Sequence, residues 1–169
     1  MKNLDTLIHD IYTVLDGLNS DKGVDIPEEL MEEFLVNTRE ALEGWSTPHL
    51  QSKTVRMSNV GRPLRRVWYD MQDTPLTKER MQPSTFIKFL YGHLLESVAI
   101  LLIKLSGHTV TDMQKEVEVD DIKGHMDCKI DGEVVDIKTA SNFSFKKFAS
   151  GTLVDDDPFG YMAQIAGDE

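Results

Sequence analysis

Gly124-His125-Met126-Asp127 and Asp136-Ile137-Lys138 place two carboxylates and one amine close in sequence, with eight residues between the two acids. A two-residue turn signal, Asp131-Gly132, sits between them. The pattern predicts a β-hairpin of two strands, 124–130 and 133–140. On a strand, residues two apart share a face, so Asp136 and Lys138 project together while Ile137 turns into the core. Asp127 then faces them from the partner strand. Two carboxylates plus a main-chain carbonyl, that of Ile137, suit a hard Mg2+ or Mn2+ ion. Such an ion polarises a phosphate and makes a bound water more acidic. Lys138 can hold the attacking water or meet charge on phosphorus. The chemistry would be metal-assisted hydrolysis of a phosphodiester. The same residues also fit a salt-bridged strand face beside an ordinary Asp-Gly turn.

A third carboxylate, Glu96, stands on the helix predicted over 84–105, flanked by Leu94, Leu95 and Val98. A carboxylate on the apolar side of a core helix is costly unless it has a partner, and a metal ion would be one. A boundary residue reaching solvent is the plainer account. Phe86, Ile87, Phe89, Leu90, Leu94, Leu95, Val98, Leu101 and Leu102 give this helix a broad apolar face, as for packing against a sheet.

Before these elements, apolar positions at Leu4, Leu7, Ile8, Ile11, Leu15 and Leu18 recur with helical period. A second helix starts at Pro27 and runs to about Glu43. The two read as an acidic helical hairpin over 1–47, a packing appendage or a surface for a protein partner. A linker with Pro48 follows over 47–54. A short helix is expected around Arg62 to Met71, with Ser58 as its cap. A strand over 113–119 and a terminal helix from Pro158 to Ala166 complete the order. Asp155-Asp156-Asp157 reads as an acidic loop capping that last helix.

The chain has 169 residues and a net charge of −11, which looks wrong for a DNA-binding protein. Residues 1–47 hold three basic and eleven acidic side chains, so the acidity is mostly N-terminal. Thr47 to Tyr69 carries Lys53, Arg56, Arg62, Arg65 and Arg66 without an acid, a basic stripe for phosphates. The lone Cys128 rules out an internal disulfide and a four-cysteine zinc or iron–sulfur site. The first twenty residues lack a signal-peptide layout, and the strongly apolar run Val98 to Ile103 is too short to span a bilayer. The expectation is an intracellular, cytoplasmic protein without a membrane partner.

Gly92-x-x-x-Glu96, Gly124-His125-Met126-Asp127 and Asp136-Ile137-Lys138, in this order, resemble the PD-(D/E)XK nuclease superfamily, and within it the RecB-like and phage-type exonucleases. The resemblance covers roughly residues 55–166. It implies an α/β (α+β) fold: a restriction-endonuclease-like core over 48–169, with a central mixed β-sheet flanked by helices, beside the N-terminal helical appendage. It implies Mg2+ or Mn2+ held by Glu96, Asp127 and Asp136, with Lys138 assisting the water. The RecB-like branch carries a glutamine and a tyrosine on the helix after the sheet. Tyr161 and Gln164 lie there, though Asp168 replaces the usual tyrosine. Arg56-Met57-Ser58 and Gly61-Arg62-Pro63 are similar to the early segment that receives a DNA end in phage exonucleases.

Ser141 to Phe148 interleaves phenylalanines with Lys146 and Lys147, so rings could stack on bases while lysines meet phosphates. A loop with its aromatics tucked into the core fits the same stretch. The expected activity is that of a metal-dependent DNA exonuclease, phage-encoded within a host cell. One alternative is a structure- or sequence-specific endonuclease of the same superfamily. Another takes the chain, which stops within its last helix, as part of a split nuclease that binds DNA or a partner. A second polypeptide or further copies of the chain would then complete the fold.

Overall fold

The computed structural model describes residues 2–47, 55–72, 81–119, 122–155, 157 and 160–168. Residues 48–54 of the expected linker, with Lys53, and Pro158 of the expected last helix lie outside them. In chain order the elements are α1 (Leu7–Asp16), α2 (Glu28–Ser46), α3 (Leu64–Met71), α4 (Pro83–Leu105), β1 (Val110–Thr111), β2 (Lys115–Val119), β3 (Ile122–Met126), β4 (Cys128–Ile130), β5 (Glu133–Val135), α5 (Asn142–Ala149) and α6 (Tyr161–Asp168). The fold is mixed, of helices and small antiparallel sheets.

The chain divides into two compact units, one of Met1–Pro48, Met81–Thr111 and Lys129–Glu133, the other of His49–Arg80, Asp112–Cys128 and Val134–Glu169. In the first unit α2 packs along α4, with α1 beside it. Glu28 and Glu29 open α2 after Pro27, where carboxylates favour the positive end of a helix. The Glu33 carboxylate of α2 bonds the Lys104 ammonium in the last turn of α4. The Trp45 indole N–H donates to the Phe86 carbonyl at 2.9 Å, tying the C-terminal end of α2 to the N-terminal end of α4. The helical pair expected as an appendage thus shares its unit with α4.

α4 buries Ser97, Ile100 and Ile103 but leaves Phe86, Ile87, Phe89, Tyr91, Leu95 and Val98 exposed. The broad face expected to pack against a sheet is therefore covered only toward the C-terminal half of the helix. The 23-residue α4 contains an 18-residue window of mean hydropathy 1.7, long and apolar enough to cross a membrane by length and composition alone.

The strands form two sheets, not one mixed sheet: β1-β4-β5, and the β2–β3 pair. β1 runs antiparallel to β4, with Val110 opposite Ile130. β2 and β3 pair antiparallel from Lys115 with Met126 to Val119 with Ile122. Among the described residues, parallel pairing is limited to a bridge between Arg56 and Lys123. The Asp131-Gly132 turn has φ of 52° and 97°, both positive as a type I′ hairpin turn requires. Cys128 and Ile130, both 0% exposed, anchor β4 in the core.

Two strand expectations need correction. The strand expected over 124–130 breaks at Asp127, where the chain passes from β3 into β4. The Asp127 carbonyl accepts the Gln114 N–H at 2.9 Å, beside a turn with positive φ at Asp112 and Gln114. The strand expected over 133–140 ends at Val135. Ser58 likewise belongs to a short 3-10 turn, Met57–Asn59, while Pro63 stands at the N-cap of α3.

Candidate active site

Asp127, Asp136, Ile137 and Lys138 come together in the second unit, although none of them lies in a regular strand. The Asp127 carboxylate accepts the Ile137 N–H at 2.7 Å. The Lys138 ammonium donates to Asp136 Oδ1 at 2.6 Å and lies 3.9 Å from Asp127 Oδ2. The expected facing of Asp127 and Asp136–Lys138 across a ladder is replaced by this loop-to-loop arrangement. Asp136 and Lys138, two residues apart after β5, still meet side chain to side chain. Ile137 engages the site through its N–H.

The site is largely sheltered, with side-chain exposures of 14% at Asp127, 7% at Asp136 and 35% at Lys138. Burial pushes the Asp127 carboxyl above its ordinary range, and the nearby Asp136 adds to this. The Lys138 ammonium and the Ile137 N–H pull the other way, and burial outweighs them. A carboxylate that burial makes costly to ionise is stabilised by a cation brought beside it.

That donor set fits a hard divalent ion. Two carboxylates suffice where waters and substrate phosphate oxygens supply the rest of an octahedral shell, as is usual for Mg2+. Among the described residues no group of three or more His, Cys, Asp and Glu side chains is gathered for metal binding. Glu96, expected as the third carboxylate, is half-buried on α4 and belongs to the first unit.

The expected DNA-contacting residues all lie in the second unit. Arg56 bridges to Lys123 of β3. Ser58 is exposed on the turn that packs against β3 and α6, and Arg62 is half-buried just after it. Arg65 sits over the Tyr69 ring at 5.8 Å on α3. Lys146 and Lys147 belong to α5, which is a helix and not a loop, capped by the Ser141 hydroxyl accepting the Ser144 N–H at 3.2 Å. Tyr161 and Gln164 are on α6, where Tyr161 stacks at 5.9 Å on Phe148 of α5. The α6 N-terminus is held by the Asp157 carboxylate, which accepts the Gly160 and Met162 N–H groups at 2.9 and 2.8 Å.

One polar cluster had no counterpart in the sequence reading. His108, with its side chain 0% exposed, faces Asp131 through Nδ1 at 2.6 Å and Asp10 through Nε2 at 3.1 Å. The Lys2 ammonium reaches Asp10 at 3.0 Å and donates to the Ser106 carbonyl. All of these belong to the first unit and tie α1, the α4–β1 connection and the β4–β5 turn. Asp131 was legible only as a turn residue, and a lone histidine after a helix-ending glycine carries no signal of its partners.

Comparison with protein-family models, with curated proteins and with solved structures gives no match.

Proposed function

We propose that the protein is a divalent-metal-dependent deoxyribonuclease acting as an exonuclease. The observation that carries this reading is the convergence of the Asp127 and Asp136 carboxylates on the Lys138 ammonium, in a sheltered site with a raised carboxyl. The motif order resembling the PD-(D/E)XK nucleases supports it, and so do the arginines of 55–66 in the same unit. Asp127, Asp136 and Lys138, which carry the proposed chemistry, all lie in the second unit.

Asp127 and Asp136 would hold Mg2+ or Mn2+, with the Ile137 carbonyl as a further oxygen donor. When bound, the ion supplies charge that polarises the scissile phosphate and acidifies a water. The Ile137 N–H fixes the Asp127 carboxylate in one orientation, so its free lone pairs face a defined direction. Lys138 is the most exposed of the three charged groups. Its three donors can hold the attacking water and a non-bridging phosphate oxygen, where negative charge grows during in-line attack.

The test is degradation of 5′- and 3′-labelled linear DNA by the purified protein with Mg2+, beside closed circular DNA. An exonuclease shortens the linear substrate and leaves the circle intact. Lys138→Ala should abolish cleavage, and cleavage by that variant at the unaltered rate would sink the mechanism.

A further inference from the structure

Two eight-residue helices of the second unit, α3 and α5, repeat one surface pattern: exposed aromatic rings with cations laid against them. On α3, Trp68 is 55% and Tyr69 41% exposed, while Val67 turns inward. The Arg65 guanidinium lies 5.8 Å from the Tyr69 ring centre, and the Trp68 and Tyr69 rings meet edge-to-face at 4.9 Å. On α5, Phe143 is 74% and Phe145 63% exposed, and the Lys147 ammonium lies 5.6 Å from the Phe143 ring centre. Rings of this size normally contribute most of a small unit's buried apolar area. Here they stand in solvent on two separate helices.

Charge narrows the choice of occupant. The whole chain carries −11, yet residues 55–69 hold four arginines and no acid, and residues 141–154 hold two lysines and no acid. A polyanion is therefore complementary to these stretches and to few others in the chain. An aromatic ring adds affinity for nucleic acid only where a base offers its face, and a duplex hides those faces in its stack. Cations beside the rings, at the spacing of one helical turn, suit phosphates flanking a stacked base.

We propose that α3 and α5 bind single-stranded DNA, with unpaired bases stacked on Trp68 and Phe143 and the phosphates met by Arg65 and Lys147. This deepens the nuclease reading, on which it rests for the fate of the strand, by assigning the form of DNA the second unit takes. Binding itself is measurable without cleavage.

The experiment uses the full chain carrying Lys138→Ala, in EDTA, with fluorescence anisotropy of labelled oligo(dT) and of a labelled duplex of equal length. Oligo(dT) should bind at least about tenfold more tightly than duplex. Trp68→Ala and Phe143→Ala should each weaken it about tenfold, with helical circular dichroism and melting unchanged because both rings are exposed. Lys147→Gln should lower the slope of log affinity against log salt by about 0.7, as for one lost single-strand phosphate contact. Three results would overturn the proposal: duplex bound as tightly as oligo(dT), aromatic variants within twofold of the parent, or binding to phosphatidylserine vesicles with none to oligo(dT). Oligo(dT) binding by a protein that never cleaves would refute the nuclease reading and leave this one standing. Cleavage insensitive to both aromatic substitutions would do the reverse.

Discussion

His108 Nδ1 lies 2.6 Å from Asp131 Oδ2, inside a first unit where the histidine side chain has no exposure. Its other ring nitrogen faces Asp10 of α1 at 3.1 Å. One imidazole thus joins three segments far apart in sequence: α1, the α4–β1 connection and the β4–β5 turn. Removing it leaves two carboxylates facing a cavity, without the group that separates them. His108→Ala should destabilise the protein by at least about 2 kcal/mol, because a fully buried ring is deleted and its two side-chain hydrogen bonds go with it. Urea denaturation measures this, and a loss under about 1 kcal/mol would show that the ring holds nothing together.

The same cluster sets an acid limit. The Thr109 N–H, the His108 ring and Lys2 hold the Asp131 carboxyl below its ordinary range, with the N–H bond the largest cause. A hydrogen bond from Lys2 does the same for Asp10, helped by Thr6. A depressed carboxyl releases its proton more readily folded than unfolded, so it stabilises the fold above the unfolded value of about 3.9. That contribution is lost as pH falls through 3.9 toward the lowered folded value. Melting temperature should therefore drop across this acid window. Asp131→Asn should melt lower than the parent at pH 7, and the gap should close as the pH falls below about 3.9. A gap that stays constant from neutral to acid pH would contradict this account.

Local signals were legible where local physics decides. α4 begins at Pro83, one residue before the start expected at Ser84, and Asp131-Gly132 makes the turn with both φ angles positive, as the sequence indicated. The meeting of Asp127 with Asp136 and Lys138 was also legible from spacing, although not the means. Period-two alternation cannot show that a strand breaks at Asp127, because the break comes from pairing with two different partners, β2 and then β1. α5 was ambiguous for another reason. The interleaved phenylalanines and lysines of 141–148 read as a loop, while the Ser141 cap, itself a readable signal, selects a helix. The exposure of Phe86, Phe89 and Tyr91 on α4 was out of reach, since an apolar face says only that burial would be favourable. His108 was out of reach because its partners lie 98 and 23 residues away.

The seam between Gly61 and Gly160 should tolerate no side chain. A Cβ on Gly160 would stand 2.6 Å from the Val60 carbonyl oxygen, and the residue has φ of 77°. A Cβ on Gly61 would meet Gly160 Cα and the Ala163 side chain at 3.0 Å. These contacts let the turn bearing Ser58 lie against α6, which carries Tyr161 and Gln164. Gly160→Ala should cost at least about 2 kcal/mol, combining the left-handed backbone with a clash against main chain. Gly132→Ala, with φ of 97° but nothing within 4 Å, isolates the backbone part. Chemical denaturation should rank Gly160→Ala well below Gly132→Ala, and equal losses would mean the seam is looser than its geometry.

Asp127 offers a test of metal binding independent of cleavage. Its carboxyl is raised chiefly by burial, so the charged form is costly in the fold, and a divalent cation would offset that cost. A ligand that binds only the folded state stabilises it by about 2.7 kcal/mol at a hundred times its dissociation constant. Saturating Mg2+ should therefore raise the melting temperature of the parent by several degrees. Asp127→Asn keeps an oxygen to accept the Ile137 N–H while removing the charge. Without Mg2+ this variant should melt no lower than the parent, because a costly buried charge is gone. With Mg2+ it should gain little, and its cleavage rate should fall at least about a hundredfold, as for loss of a positioned catalytic group. An equal Mg2+-induced rise in both proteins would place any bound ion somewhere other than at Asp127.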